Sequence, residues 1–161
     1  MKKLLMLFVL TIFSLNTHSE WTEIPDLDSK VRDFIDFNDL KEGTDGYVYW
    51  WMMKSDSSSS QKFYIQTDCE DERINPLRVD YHSESMGRGE VTSVKSDEGW
   101  SYPARDTALY RFVGVVCDMA RETPEKREGS ISNLLMSLQY KNKINNLYEK
   151  EEGASKLGAL K

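Results

Sequence analysis

Cys69 and Cys117 are the only cysteines among 161 residues, and where the chain is sent decides what they become. The first 19 residues read as a secretory signal: Lys2 and Lys3, an apolar run from Leu4 to Leu15, then Thr17 and Ser19 spaced as a T-x-S cleavage site. That run is too short to span a bilayer. In the oxidising compartment beyond it, two lone cysteines are expected to pair. Closing a loop of about 49 residues stabilises a fold by roughly 4 kcal/mol in the chain-entropy model. A metal would need two more ligands, and beyond the signal the sole histidine is His82. No metal or cofactor is therefore expected. No cysteine sits at the cleavage site, so the product is expected in the periplasm or the medium, neither lipid-anchored nor membrane-spanning.

Charge narrows the partners. The whole chain carries −6, and loss of Lys2 and Lys3 with the signal takes it to −8. Residues 20–120 hold 11 basic and 21 acidic groups, a net of −10, whereas residues 121–161 hold 8 and 6, a net of +2. A domain at −10 repels phosphate backbones and anionic membrane surfaces, which disfavours nucleic acid as a partner.

Periodicity sets the architecture. Tyr47 to Met53 is apolar at both parities, the pattern of a strand covered on both faces. It follows the turn signal Asp45-Gly46. Ser55 to Ser60 reads as a flexible polar connection. Phe63, Ile65, Thr67 and Cys69 then alternate with Tyr64, Gln66 and Asp68, and Leu77, Val79 and Tyr81 alternate with Arg78, Asp80 and His82. Met86-Gly87-Arg88-Gly89 reads as a turn whose glycines supply positive φ or a bulge. The period then changes. Ala108, Leu109, Phe112, Val113, Val116, Cys117 and Ala120 share one helical face, with Asp106 or Thr107 as N-cap. Both cysteines lie on apolar sides, so their bond pins helix to sheet. Antiparallel strands followed by a helix make an α+β domain over residues 20–121. Residues 122–161 are a linker and helical tail. The polar stretch runs to Gly129, and Ser130 caps a helix over 131–150. Its stripe of Ile131, Leu134, Leu135 and Leu138 suits either docking onto the domain or self-association.

The order of these residues resembles the surface-adhesin protein E family of small exported bacterial proteins. The stretch runs from Trp21-Thr-Glu-Ile through Phe34-Ile-Asp36 and Leu40 to the Tyr47–Met53 strand. Tyr64-Ile-Gln-Thr-Asp68-Cys69 follows, then Arg73, Leu77, Tyr81-His-Ser and Met86-Gly-Arg-Gly-Glu90. Trp100, Pro103 and Cys117 close it. The resemblance implies a curled antiparallel sheet of about five to six strands, with a C-terminal helix tied to it by the disulfide. It also implies an adhesin-like role for a chain that has no lipidation cysteine and continues past the helix.

Two catalytic signatures are missing: there is no G-x-S-x-G and no H-E-x-x-H. The acids at Asp33, Asp36, Asp39, Glu42 and Asp45, and at Asp68, Glu70, Asp71 and Glu72, lack calcium-loop spacing and read as solvated strand ends and turns. His82 reads as a surface histidine. The expected function is a non-catalytic module binding a protein or envelope component. A small envelope enzyme using a carboxylate pair, or a self-assembling structural protein, are the alternatives. Trp50 is singled out as the exposed contact residue, because Trp51 shares parity with Tyr47 and Tyr49.

Overall fold

The computed structural model describes residues 21–25, 31–105, 107–123 and 125–139. The signal-like segment and residues 140–150 of the expected tail helix lie outside them. Six strands form one antiparallel sheet in chain order: β1 (Trp21–Ile24), β2 (Arg32–Glu42), β3 (Val48–Ser55), β4 (Ser60–Asp68), β5 (Arg73–His82) and β6 (Val91–Lys95). Short turns make this meander. Gly46 adopts φ +81° after Asp45, and Gly43 N–H bonds Tyr47 O at 2.8 Å to close the β2–β3 turn. The β3–β4 turn is not the flexible connection expected from its serines. Asp56 Oδ1 accepts the N–H groups of Ser58 and Ser59, each at 2.7 Å, while Ser55 and Ser60 are buried strand ends.

Two irregularities bend the sheet. The β2–β3 register shifts between Asp36 and Lys41, and Asp36 Oδ1 accepts the N–H groups of Asn38 and Asp39 at 3.0 and 3.3 Å. The β4–β5 register shifts between Tyr64 and Ile65, beside Pro76, which has no N–H to give the ladder.

α1 (Ala108–Ala120) lies over β2 and β3, its first turn capped by Thr107 Oγ1 accepting Tyr110 N–H at 3.3 Å. Phe112, Val113, Val116, Cys117 and Met119 meet Ile35, Phe37, Leu40, Val48, Trp50, Met52 and Ile65 in the main core. The Cys69–Cys117 disulfide joins the end of β4 to α1 across a Cα–Cα distance of 5.7 Å.

A second helix, α2, spans residues 125–139. It begins inside the stretch assigned to a linker, so Ser130 is not its cap. Thr123 O accepts the N–H groups of Lys126 and Arg127, each at 3.0 Å. Ile131, Leu134, Leu135 and Leu138 pack against the main core, so the stripe docks along the described length. Arg127 fixes the angle. Its Nε donates to Met119 O at 3.0 Å, Nη1 to Phe37 O and Leu40 O at 3.0 and 3.2 Å, and Nη2 to Glu122 O at 3.4 Å. One guanidinium thereby satisfies carbonyls at the end of α1 and at the β2 bulge together.

Candidate binding face

The face of the sheet turned away from the helices holds the candidate site. Register places Trp21, Asp36, Trp51, Tyr64, Arg78 and Lys95 in one cross-strand row. A second row holds Glu23, Phe34, Met53, Lys62, Asp80 and Ser93. Neither α-helix among the described residues covers these rows, yet Phe34 and Met53 are 3% and 0% exposed. The sheet curls enough for Lys62 on β4 to bring Nζ within 5.5 Å of the Trp21 ring on β1, three strands away. The odd positions of β3 thus close a small second core, and the outer aromatics rim it.

This geometry reverses the expectation for Trp50. Its indole is completely buried, and Nε1 donates to Thr67 Oγ1 at 2.8 Å in the main core. Shared parity with Val48 and Met52 put it under the helix; the half-buried tryptophan is Trp51. The reason is placement, since parity groups side chains by face but does not say which face α1 will cover.

Around Trp51 the face is a ladder of rings and cations. The Trp51 and Tyr64 rings lie 4.9 Å apart, Tyr49 and Tyr64 lie 6.1 Å apart, and the Arg78 guanidinium sits 4.7 Å from the Trp51 ring. Arg78 also bonds Asp80 Oδ2 at 3.1 Å. At the far end Arg73 lies 4.8 Å from the Trp100 ring, which packs 5.0 Å from Tyr47. Planar guanidinia held on aromatic faces are pre-organised, so little side-chain freedom is left to lose on binding. A relay of neutral groups ending on a carboxylate runs alongside. Asn75 Nδ2 donates to Gln66 Oε1 at 3.1 Å, Gln66 Nε2 to Tyr49 Oη at 2.8 Å, and Tyr49 Oη to Asp45 Oδ2 at 2.6 Å.

The protonation states suit contact chemistry. The hydrogen bond to Asp45, with burial, pushes the Tyr49 hydroxyl up to about 12, so it stays a donor. The same bond holds Asp45 below the usual carboxylate range. Burial works to raise Asp68, but hydrogen bonds from Arg73 and from the N–H groups of Asp71 and Glu70 outweigh it and leave Asp68 low. Neither acid is poised to give up a proton near neutrality. The acids expected to be solvated also divide: Asp33, Asp36 and Asp68 are buried, whereas Asp45 and Asp71 stay exposed. Asp68 folds the β4–β5 turn. Its Oδ1 accepts from Glu70 N–H and Asp71 N–H, and Oδ2 from Arg73 Nη2 at 2.8 Å.

The alternation of β5 is also inverted at its end. Tyr81, expected inside, is 47% exposed, and Asp80, expected outside, is 7% exposed. α1 packs over β2 and β3, away from the end of β5 that holds Tyr81, while Asp80 is buried on the other face. His82 is not a surface histidine either, because both ring nitrogens are buried without a hydrogen-bond partner among the described residues. Separately, a groove of about 1020 Å³ runs between α2 and the β1–β2 edge, walled by Trp21, Phe37, Leu40, Arg127, Ile131 and Leu135. Sequence reasoning missed Trp51, Arg78, Ser55 and Ser60. The tyrosines at Tyr47 and Tyr49 were the available signal, since a tyrosine's polar tip favours a face that keeps contact with water.

None of the curated proteins matches this sequence. Among solved structures, the crystal structure of protein E from non-typeable Haemophilus influenzae is similar, with a TM-score of 0.53 and 17% identity. The alignment covers 78% of this chain and 92% of that one, and at this identity it speaks to the fold. No described helix is long and apolar enough to cross a membrane. The family model for surface-adhesin protein E matches residues 21–118, from the start of β1 to just past Cys117. A match over that much of the chain, with the six-stranded sheet and its disulfide-bound helix, places the protein in the surface-adhesin protein E family.

Proposed function

We propose that the chain is an exported, non-catalytic adhesin-like module that engages a protein or envelope component through the helix-free face of its sheet. The observation that carries this reading is the Trp51–Tyr64–Arg78 ladder, two half-buried rings beside an exposed guanidinium that is braced by Asp80, left uncovered by both described helices. Tryptophan, tyrosine and arginine are the side chains that dominate protein contacts. Family membership supports an exported, surface-directed protein. The signal-like N-terminus supports delivery to the periplasm or medium.

The test is retention from bacterial-envelope and host-matrix extracts on the immobilised, disulfide-bonded protein. Trp51→Ala and Arg78→Ala should each weaken a retained partner by about 30-fold or more, the scale of a hot spot. Arg121→Ala, at an exposed position at the end of α1, should leave retention unchanged. Reproducible retention of nothing, or equal retention by all three variants, contradicts the assignment.

A further inference from the structure

Residues 83–90 leave β5 and return as β6, but they do not stay at the sheet edge. Met86 N–H donates to Ser55 Oγ at 2.9 Å, Gly87 N–H donates to Ser60 Oγ at 2.8 Å, and Ser60 Oγ donates to Glu84 O at 2.7 Å. The segment is therefore a strap reaching across β4 to β3. Arg32 on β2 meets it as well, with Nη2 at 3.8 Å from Met86 Sδ. The strap reaches this position through left-handed backbone at Met86, Gly87 and Gly89, with φ of +58°, +67° and +76°. That conformation is unfavourable for methionine, so the contacts of the strap have to hold it. Gly87 lies so close to Lys62 that an added Cβ would collide with its side chain.

His82 stands beside this latch, as the cross-strand partner of Ser60. Lys62 on β4 opposes a charge on its ring, and Asp80 on β5 favours one. Arg32 on β2 stands in the same cross-strand row as Ser55, Ser60 and His82, while Glu84 and Arg88 lie in the strap and Glu90 just ahead of β6. Arg32 pairs with Glu23 at 3.5 Å, and Arg88 bonds Ser85 O at 3.2 Å. A neutral imidazole tolerates this setting. An imidazolium needs an acceptor for each of two N–H groups, and both nitrogens are shut off from water. Asp80 Oδ1 is buried with no hydrogen-bond partner among the described residues, but a residue two positions along a strand stands about 7 Å away. Reaching it takes the ring out of its place beside Ser60.

We propose that the strap is a proton-operated latch: protonation of His82 releases residues 83–90 from Ser55 and Ser60. Histidine is the side chain suited to such a role near neutrality. The proposal is independent of what the Trp51 ladder binds.

The test uses the full-length, disulfide-bonded protein labelled with ¹⁵N and followed by NMR from pH 7.5 to 5. The Met86 and Gly87 amide signals are expected to shift and lose their heteronuclear NOE with the midpoint of the His82 ring protons, below 6.5. Lys62→Met should move that shared midpoint upward, and His82→Gln should abolish the amide change. Amides that stay rigid at pH 5 while His82 titrates overturn the proposal, as does a His82→Gln strap that loosens over the same range. Should His82→Gln not fold, the direction of the Lys62→Met shift decides, and an unmoved midpoint refutes it.

Discussion

The hydrogen bond between Trp50 and Thr67 can be isolated by mutation. Both residues are 0% exposed, and the 2.8 Å bond joins neighbouring strands β3 and β4 in the main core. Thr67→Val keeps shape and volume but leaves the indole N–H buried with nothing to accept it. That costs about 1–3 kcal/mol, or a melting temperature lower by roughly 2–4 °C for each kcal/mol in a protein of this size. Trp50→Phe removes the donor and part of the ring system, so a cavity cost adds to an orphaned hydroxyl, and about 2–4 kcal/mol is expected. The double variant has neither orphan. Its cost should fall short of the sum of the single costs by about 1–2 kcal/mol. Urea melts at pH 7.5 followed by far-ultraviolet circular dichroism measure all four proteins. A Thr67→Val cost below about 0.5 kcal/mol, or strictly additive single costs, would show that burial alone holds Trp50.

Replacing Cys69 and Cys117 by serine should cost about 4 kcal/mol by the loop-closure argument, read as a lower urea midpoint for the variant than for the oxidised protein. Arg127→Met leaves the carbonyls of Phe37, Leu40, Met119 and Glu122 without their shared donor. It should cost about 3 kcal/mol and speed hydrogen exchange in residues 125–139 before it does so in β3. Burial and Lys62 hold the His82 pKa below 6.5 in the folded protein. The unfolded chain therefore takes up that proton first, and the stability contributed above about 6.5 is lost as pH falls through the folded-state value. Urea midpoints should drop between pH 7 and 5 in the native protein and much less in His82→Gln. Asp45, Asp56 and Asp68 are all lowered from 3.8, so their contribution is lost only at more acid pH.

Much of this protein was legible in the sequence, because period-2 and period-3.6 patterns are local properties of the chain. Alternation in Phe63, Ile65 and Thr67 against Tyr64 and Gln66 placed β4, and the spacing of Phe112, Val113, Val116 and Cys117 placed α1 with Thr107 at its start. The lone cysteines bonded strand to helix as their sides predicted. Alternation says which side chains share a face but not which face is inside. That depends on where α1 lies, over β2 and β3, and this alone buried Trp50, left Trp51 in the ladder and turned Tyr81 outward. The polar groups that matter most were silent for a related reason. Ser55, Ser60, Asp36 and Arg127 look solvent-bound in the chain, and each takes its place only when segments far apart in sequence bring backbone N–H or C=O groups that must be satisfied. Sequence by itself determined the strands, the helix and the covalent link between them. Tertiary structure decided which face the helices leave open and which polar side chains hold the sheet together, since burial and hydrogen-bond satisfaction belong to the assembled sheet and not to any one stretch of it.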